Sequence, residues 1–154
     1  MGAWLNRLVL FLASGFYSGY APHAPGTAGT LVGIALYILL SPLSLKLYGI
    51  LTLSILFLGV WVSDRVEAIR GEKDSSLIVI DEIAGFLVTM FGLPFHGLTV
   101  AEGFVLFRIF DIAKPFPIGM IDRRLPGGWG VMLDDIAAGI YANLVLRLLV
   151  RGFL

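Results

Sequence analysis

The chain has 154 residues, no cysteine, and eleven acidic against eleven basic residues, so its formal net charge is zero. Disulfides, zinc–thiolate sites and a cysteine nucleophile are excluded, and no basic surface suggests nucleic acid. Hydrophobic residues make up 58% and mean hydropathy is +0.91, against a usual apolar share of about 45–50%, which argues for one domain over 1–154 with lipid as a solvent.

Residues 4–13 predict a short apolar helix, broken at Ser14-Gly15 and too short to span a bilayer. No small-residue cleavage site follows, so this first apolar helix is expected to serve as its own insertion signal. Residues 15–26 read as a loop with Pro22 and Pro25. Gly26 or Thr27 can cap a helix over 27–40, which Ser41-Pro42 ends. A long helix follows over 44–70, apolar as far as Val62 and charged from Asp64 onward. Residues 71–76 form a polar loop. Helices over 77–92 and 98–114 come next, and Pro115 and Pro117 stop the second of them. Residues 118–124 make a short helical turn, 126–130 a flexible glycine-rich loop, and 131–150 a last helix. Strand-period alternation is absent, so the fold class is all-α: a polytopic bundle of about six helices, four to five of them crossing the membrane. Several runs fall short of the ~20 residues that span a bilayer comfortably, and would need tilt or local thinning. The alternative is a very apolar soluble bundle.

Arg65, Arg70 and Lys73 follow the third predicted helix, and Lys114, Arg123 and Arg124 follow the fifth. By the positive-inside rule both loops are cytoplasmic, with the N-terminus inside and the C-terminus outside; Arg147 and Arg151 count mildly against this. The helix start at Thr27, then Asp74, Asp81-Glu82, the face of Arg108, Asp111 and Lys114, and Asp134-Asp135 then share one layer on the cytoplasmic side.

Those acids sit in or against apolar runs, where an ionised group costs roughly 2.5–3.5 kcal/mol on insertion scales, so they read as functional. Mg²⁺ prefers oxygen ligands, and Asp74, Asp81, Glu82, Asp111, Asp134 and Asp135 are the candidates. Adjacent acids on a helix point about 100° apart, so one of each pair is expected to face a metal directly. Arg108, Asp111 and Lys114 lie on one arc of about 120°, with an arginine fork and a lysine point charge suited to phosphate. The structural alternative is a salt-bridged stripe. The small residues from Pro25 to Thr30 leave helix-start N–H groups open to an anion, or simply cap and pack a helix. His23 is taken as solvated and His96 as lying on the opposite side; neither receives a role. A Cys-x5-Arg loop, an Asp-x-Asp-x-Thr motif and a histidine-based phosphatase pattern are all missing. A metal-activated water is the chemistry that remains.

The ordered set Pro25-Gly26-Thr27-Ala28-Gly29-Thr30, Asp74, Asp81-Glu82, Phe107-Arg108-Ile109-Phe110-Asp111-Ile112-Ala113-Lys114-Pro115 and Gly130-Val131-Met132-Leu133-Asp134-Asp135 closely resembles the bacterial phosphatidylglycerophosphatase A family, over about residues 10–150. The resemblance implies an all-helical bundle with one central helix, in the bacterial cytoplasmic membrane. It implies a Mg²⁺-dependent phosphatase whose partner is its phospholipid substrate, phosphatidylglycerophosphate, converted to phosphatidylglycerol and phosphate. It carries functional positions onto Thr27, Asp74, Asp81, Glu82, Arg108, Asp111, Lys114, Asp134 and Asp135. In this reading Asp81, Glu82, Asp134 and Asp135 are the metal candidates, with Asp111 or Asp74 in support. Arg108 and Lys114 clamp phosphate, and Asp111, Thr27 and Asp74 complete the catalytic set. The competing reading is a small cation or proton transporter, which acids spread over several depths would favour. A membrane scaffold would need no acidic pairs.

Overall fold

The computed structural model describes residues 2–73 and 75–151. Among them the chain forms seven α-helices and no strand: α1 (Ala3–Ala13), α2 (Pro25–Leu40), α3 (Leu45–Arg70), α4 (Ile80–Thr89), α5 (Gly97–Ala113), α6 (Ile118–Arg124) and α7 (Gly127–Arg151). The all-α expectation holds, with the short helical turn at 118–124 present as α6. Among the described residues one helix, α3, is long and apolar enough by itself to cross a membrane.

Local chemistry accounts for the boundaries. Ser44 Oγ accepts from the Leu47 N–H at 3.4 Å and starts α3, and Gly71 ends it at φ +67°, the left-handed turn glycine adopts without a Cβ clash. Three helix starts differ from the sequence expectation by two residues or more, and α4 also ends at Thr89, short of the expected 92. Pro25 is the first residue of α2 and Ala24 its cap, two residues ahead of the predicted start, because proline's fixed φ suits the first helical turn. Residues 77–79 are not helical; the Val79 N–H donates to the Ala13 carbonyl at 2.9 Å, so the approach to α4 is tied to the end of α1. Finally, α7 begins at Gly127, where a flexible loop was expected. Gly128 lies so close to the Val60 carbonyl of α3 that any Cβ would collide with it. Its N–H donates to Asp64 Oδ1 at 2.6 Å, which satisfies one of the open donors at the helix start.

The centre of the bundle is α4. Ile80, Ile83, Ala84, Gly85, Phe86, Leu87 and Thr89 are all buried, the pattern of a helix enclosed on every side. One core cluster joins it to α1, α3 and α7 through Val9, Val62, Val66 and Met132. A second joins it to α2, α5 and α7 through Tyr37, Phe86, Phe107 and Leu146.

α4 and α7 run parallel at a constant offset. A Cβ on Gly139 would strike the Gly85 carbonyl, and Asn143 Nδ2 donates to the Thr89 carbonyl at 2.7 Å, 54 residues back. Asn143 Nδ2 and Arg147 Nη2 also donate to the Phe91 carbonyl, at 3.0 and 2.6 Å. These bonds satisfy carbonyls that the end of α4 leaves open. The same offset puts Asp81 of α4 opposite Asp135 of α7. The glycine crossing, one turn beyond both acids, is what lets two carboxylate-bearing backbones come so close.

The outer surface is apolar along much of the bundle. Leu53, Phe57 and Trp61 of α3, Leu31 and Leu39 of α2, Val105, Ile109 and Ile112 of α5, and Ile140, Leu144 and Leu148 of α7 are all exposed.

Candidate active site

The first turns of α2 and α4, the last turns of α5 and the N-terminal part of α7 enclose one cavity of about 340 Å³. Its lining holds Gly26, Ser75, Ser76, Asp81, Glu82, Arg108, Asp111, Lys114, Asp134 and Asp135. Segments more than a hundred residues apart in the chain thus meet at one end of the bundle.

Asp81, Glu82 and Asp135 each present a carboxylate oxygen, and these oxygens lie within 4.8 Å of one another. Asp81 Oδ1, Glu82 Oε2 and Asp135 Oδ2 are buried and have no hydrogen-bond partner among the described residues. A buried carboxylate oxygen without a partner is costly, and three such oxygens side by side also repel one another. Oxygen donors at this spacing, unsatisfied among the described residues, fit a hard divalent cation. Both acids of the α4 pair reach the group, the longer Glu82 side chain making up for its different direction; of the α7 pair only Asp135 does.

Asp134 is engaged elsewhere. Its Oδ2 accepts from Lys114 Nζ at 2.6 Å, and its Oδ1 accepts from the Asp135 N–H at 3.0 Å. Lys114 Nζ also contacts Asp122 Oδ1 at 3.0 Å. Lys114 caps α5 in the left-handed region at φ +42°, which lets its side chain turn back toward α7. Burial alone would lower the pKa of its ammonium, but the hydrogen bonds and charges of Asp134 and Asp122 outweigh burial and raise it. Lys114 is therefore a fixed positive charge and no source of protons near neutral pH.

Arg108 Nη1 donates to Asp111 Oδ2 at 2.5 Å and stands 4.0 Å from Glu82 Oε1. Its buried Nε has no partner. The guanidinium is thus held at one corner by Asp111 while other donors remain for an incoming anion. Gly26 supplies the room: a Cβ there would collide with Glu82 Oε1 and press on both terminal nitrogens of Arg108. The cavity itself is lined by five carboxylates, Asp81, Glu82, Asp111, Asp134 and Asp135, and two cations, Arg108 and Lys114.

The other expected residues lie as follows. Thr27 is half-buried in the first turn of α2 and does not line the cavity; Gly26 does. Asp74 lies outside the described residues, although its neighbours Ser75 and Ser76 line the cavity. His23 is exposed, and His96 borders a separate cavity with Phe95 and Glu102 at the start of α5. Sequence reasoning gave no role to Asp122 or Asp64. Both belong to polar clusters visible in the chain, but their partners are brought to them only by the fold.

An arginine with donors to spare stands beside a group of unpaired carboxylates, in a helical bundle without cysteine. Residues 11–150 match the family model for phosphatidylglycerophosphatase A, and the chain belongs to that family. It is 40% identical to phosphatidylglycerophosphatase A of Escherichia coli K12, across 88% of this chain and 79% of the relative. It is 42% identical to phosphatidylglycerophosphatase A of Haemophilus influenzae, across 92% and 88%. A Bacteroides thetaiotaomicron protein provisionally named a phosphatidylinositol-3-phosphatase is 38% identical across 90% and 91%. No solved structure matches the chain. The chain is, by this membership, a phosphatase.

Proposed function

We propose that this protein is a Mg²⁺-dependent, multi-pass membrane phosphatase that hydrolyses phosphatidylglycerophosphate to phosphatidylglycerol and phosphate at the cytoplasmic face of a bacterial inner membrane. The observation that carries the reading is the group of three unpaired carboxylate oxygens beside a half-engaged arginine. The names of the Escherichia coli and Haemophilus influenzae relatives supply the substrate.

Asp81, Glu82 and Asp135 would hold the Mg²⁺. When bound, the ion would supply Lewis-acid polarisation of the phosphate and lower the pKa of a nearby water. Arg108, oriented by Asp111, offers its remaining N–H groups to the phosphoryl oxygens as they gain charge. Lys114, fixed by Asp122 and Asp134, keeps a permanent positive charge at the cavity wall. Water adds to phosphorus, the bond from phosphorus to the glycerol oxygen breaks, and phosphate and the lipid alcohol leave.

Several observations support the membrane arrangement. α3 has 26 residues and is about 39 Å long, enough to cross a hydrocarbon core of about 30 Å. α4, with 10 residues, is only about 15 Å long. It is enclosed by protein, which permits irregular backbone at its ends even at membrane depth. Alternating crossings require α4 and α7 to point the same way, and they do. The basic residues after α3 and α5 support a cavity on the cytoplasmic side. Against the transporter reading, the acids Asp81, Glu82, Asp111, Asp134 and Asp135 gather around one cavity at one end of the bundle rather than at several depths.

Phosphate release by the purified protein from phosphatidylglycerophosphate and from phosphatidylinositol 3-phosphate, in the same micelles, tests the substrate. Faster turnover of the first is expected. Preference for the inositol lipid would reassign the substrate while leaving the site chemistry in place.

A further inference from the structure

The outer face of α5 carries a groove of about 460 Å³ lined by Phe104, Val105, Arg108, Ile109, Ile112 and Ala113. It lies between two i, i+4 ridges of the helix, 104–108–112 and 105–109–113. Apart from Arg108 every lining residue is apolar. Val105, Ile109 and Ile112 are exposed. Arg108 lines both this groove and the polar cavity, so one arginine side chain borders the two.

We propose that the groove seats one acyl chain of the lipid whose phosphate lies against Arg108; the inference rests on the lipid-phosphatase reading above. The geometry suits an amphiphile. α5 carries Asp111 and Lys114 at its cavity end, the level of a headgroup. From Ala113 the groove runs back to Phe104 over about 13 Å of helix, toward the middle of the bundle. A phosphate in the cavity and a chain in the groove would therefore lie in the order a bilayer lipid presents them. The exposed face of α3 lacks this continuity: Leu53, Phe57 and Trp61 are exposed, but α3 contributes no residue to the cavity lining. That face meets bulk lipid, whereas the α5 groove selects substrate by its chain.

The test compares kcat/KM for dipalmitoyl and dihexanoyl phosphatidylglycerophosphate in the same mixed micelles, read as the long-to-short ratio. Val105→Trp fills the groove while keeping it apolar, and Ile109→Ser removes apolar contact from it. Leu53→Ser on α3 is the control. Both groove variants are expected to lower the ratio by about tenfold, the effect of losing roughly two methylenes of apolar contact, while the control keeps the wild-type ratio. A wild-type ratio in Val105→Trp, or an equal fall in Leu53→Ser, would overturn the groove. Should Ile109→Ser fail to fold, the apolar Val105→Trp variant decides alone. Wild-type protein inert on both lipids would remove the substrate reading, and the groove with it.

Discussion

Replacing Asp81 by asparagine is expected to abolish phosphate release while leaving the metal-free protein at least as stable as wild type. Asp81 faces Glu82 and Asp135, with no cation bonded to its buried Oδ1. The substitution keeps its shape and removes one of three mutually repelling charges, a case of function held at the expense of stability. Mg²⁺ bound to the folded state would stabilise wild type by about 2.7 kcal/mol at a hundredfold excess over Kd, and this gain should vanish in the variant. Asp134→Asn should behave in the opposite way. Asp134 accepts a 2.6 Å bond from Lys114, and a hydrogen bond to a charged group contributes about 1.5–3 kcal/mol. The cost falls near the low end, since Lys114 keeps Asp122 at 3.0 Å. Thermal melts of both variants in detergent, with and without Mg²⁺, separate the two roles. A large drop in the metal-free melting temperature of Asp81→Asn, with its Mg²⁺ shift intact, would make Asp81 a structural partner.

Arg108→Lys is expected to cut kcat by about 10²–10³-fold, the loss typical of removing one preorganised donor from a developing anion. Lysine keeps the positive charge near Asp111 and Glu82, so the fold should survive. It lacks the planar fork and the Nε donor that now has no partner. Steady-state kinetics with a melting curve checks this. Near-normal turnover would reduce Arg108 to neutralising its two acidic neighbours.

The residues of the site were legible in the chain because charge inside an apolar run is costly and therefore conspicuous. Asp81-Glu82, Asp134-Asp135 and the Arg108–Asp111–Lys114 arc all reach the cavity. The division of labour within the second pair was not legible. Asp134 and Asp135 differ by a single residue step, and which one is paired depends on Lys114 turning back in a left-handed cap. The helical class and most helix spans followed from apolar runs and prolines. The start of α7 did not, since Gly127-Gly128 reads as a loop until Asp64 and the Val60 carbonyl are placed against it. The parallel register of α4 and α7 left a faint trace: Asp81 and Asp135 each precede a glycine by one turn, Gly85 and Gly139. That repeat has meaning only once the two glycines are known to cross.

The central claim is that Asp81, Glu82 and Asp135 hold a divalent cation needed for turnover. Its most direct measurement is phosphate release from phosphatidylglycerophosphate by purified protein treated with EDTA, then resupplied with Mg²⁺. The account predicts that activity disappears in the chelator and returns with Mg²⁺. Full activity in excess EDTA would contradict it.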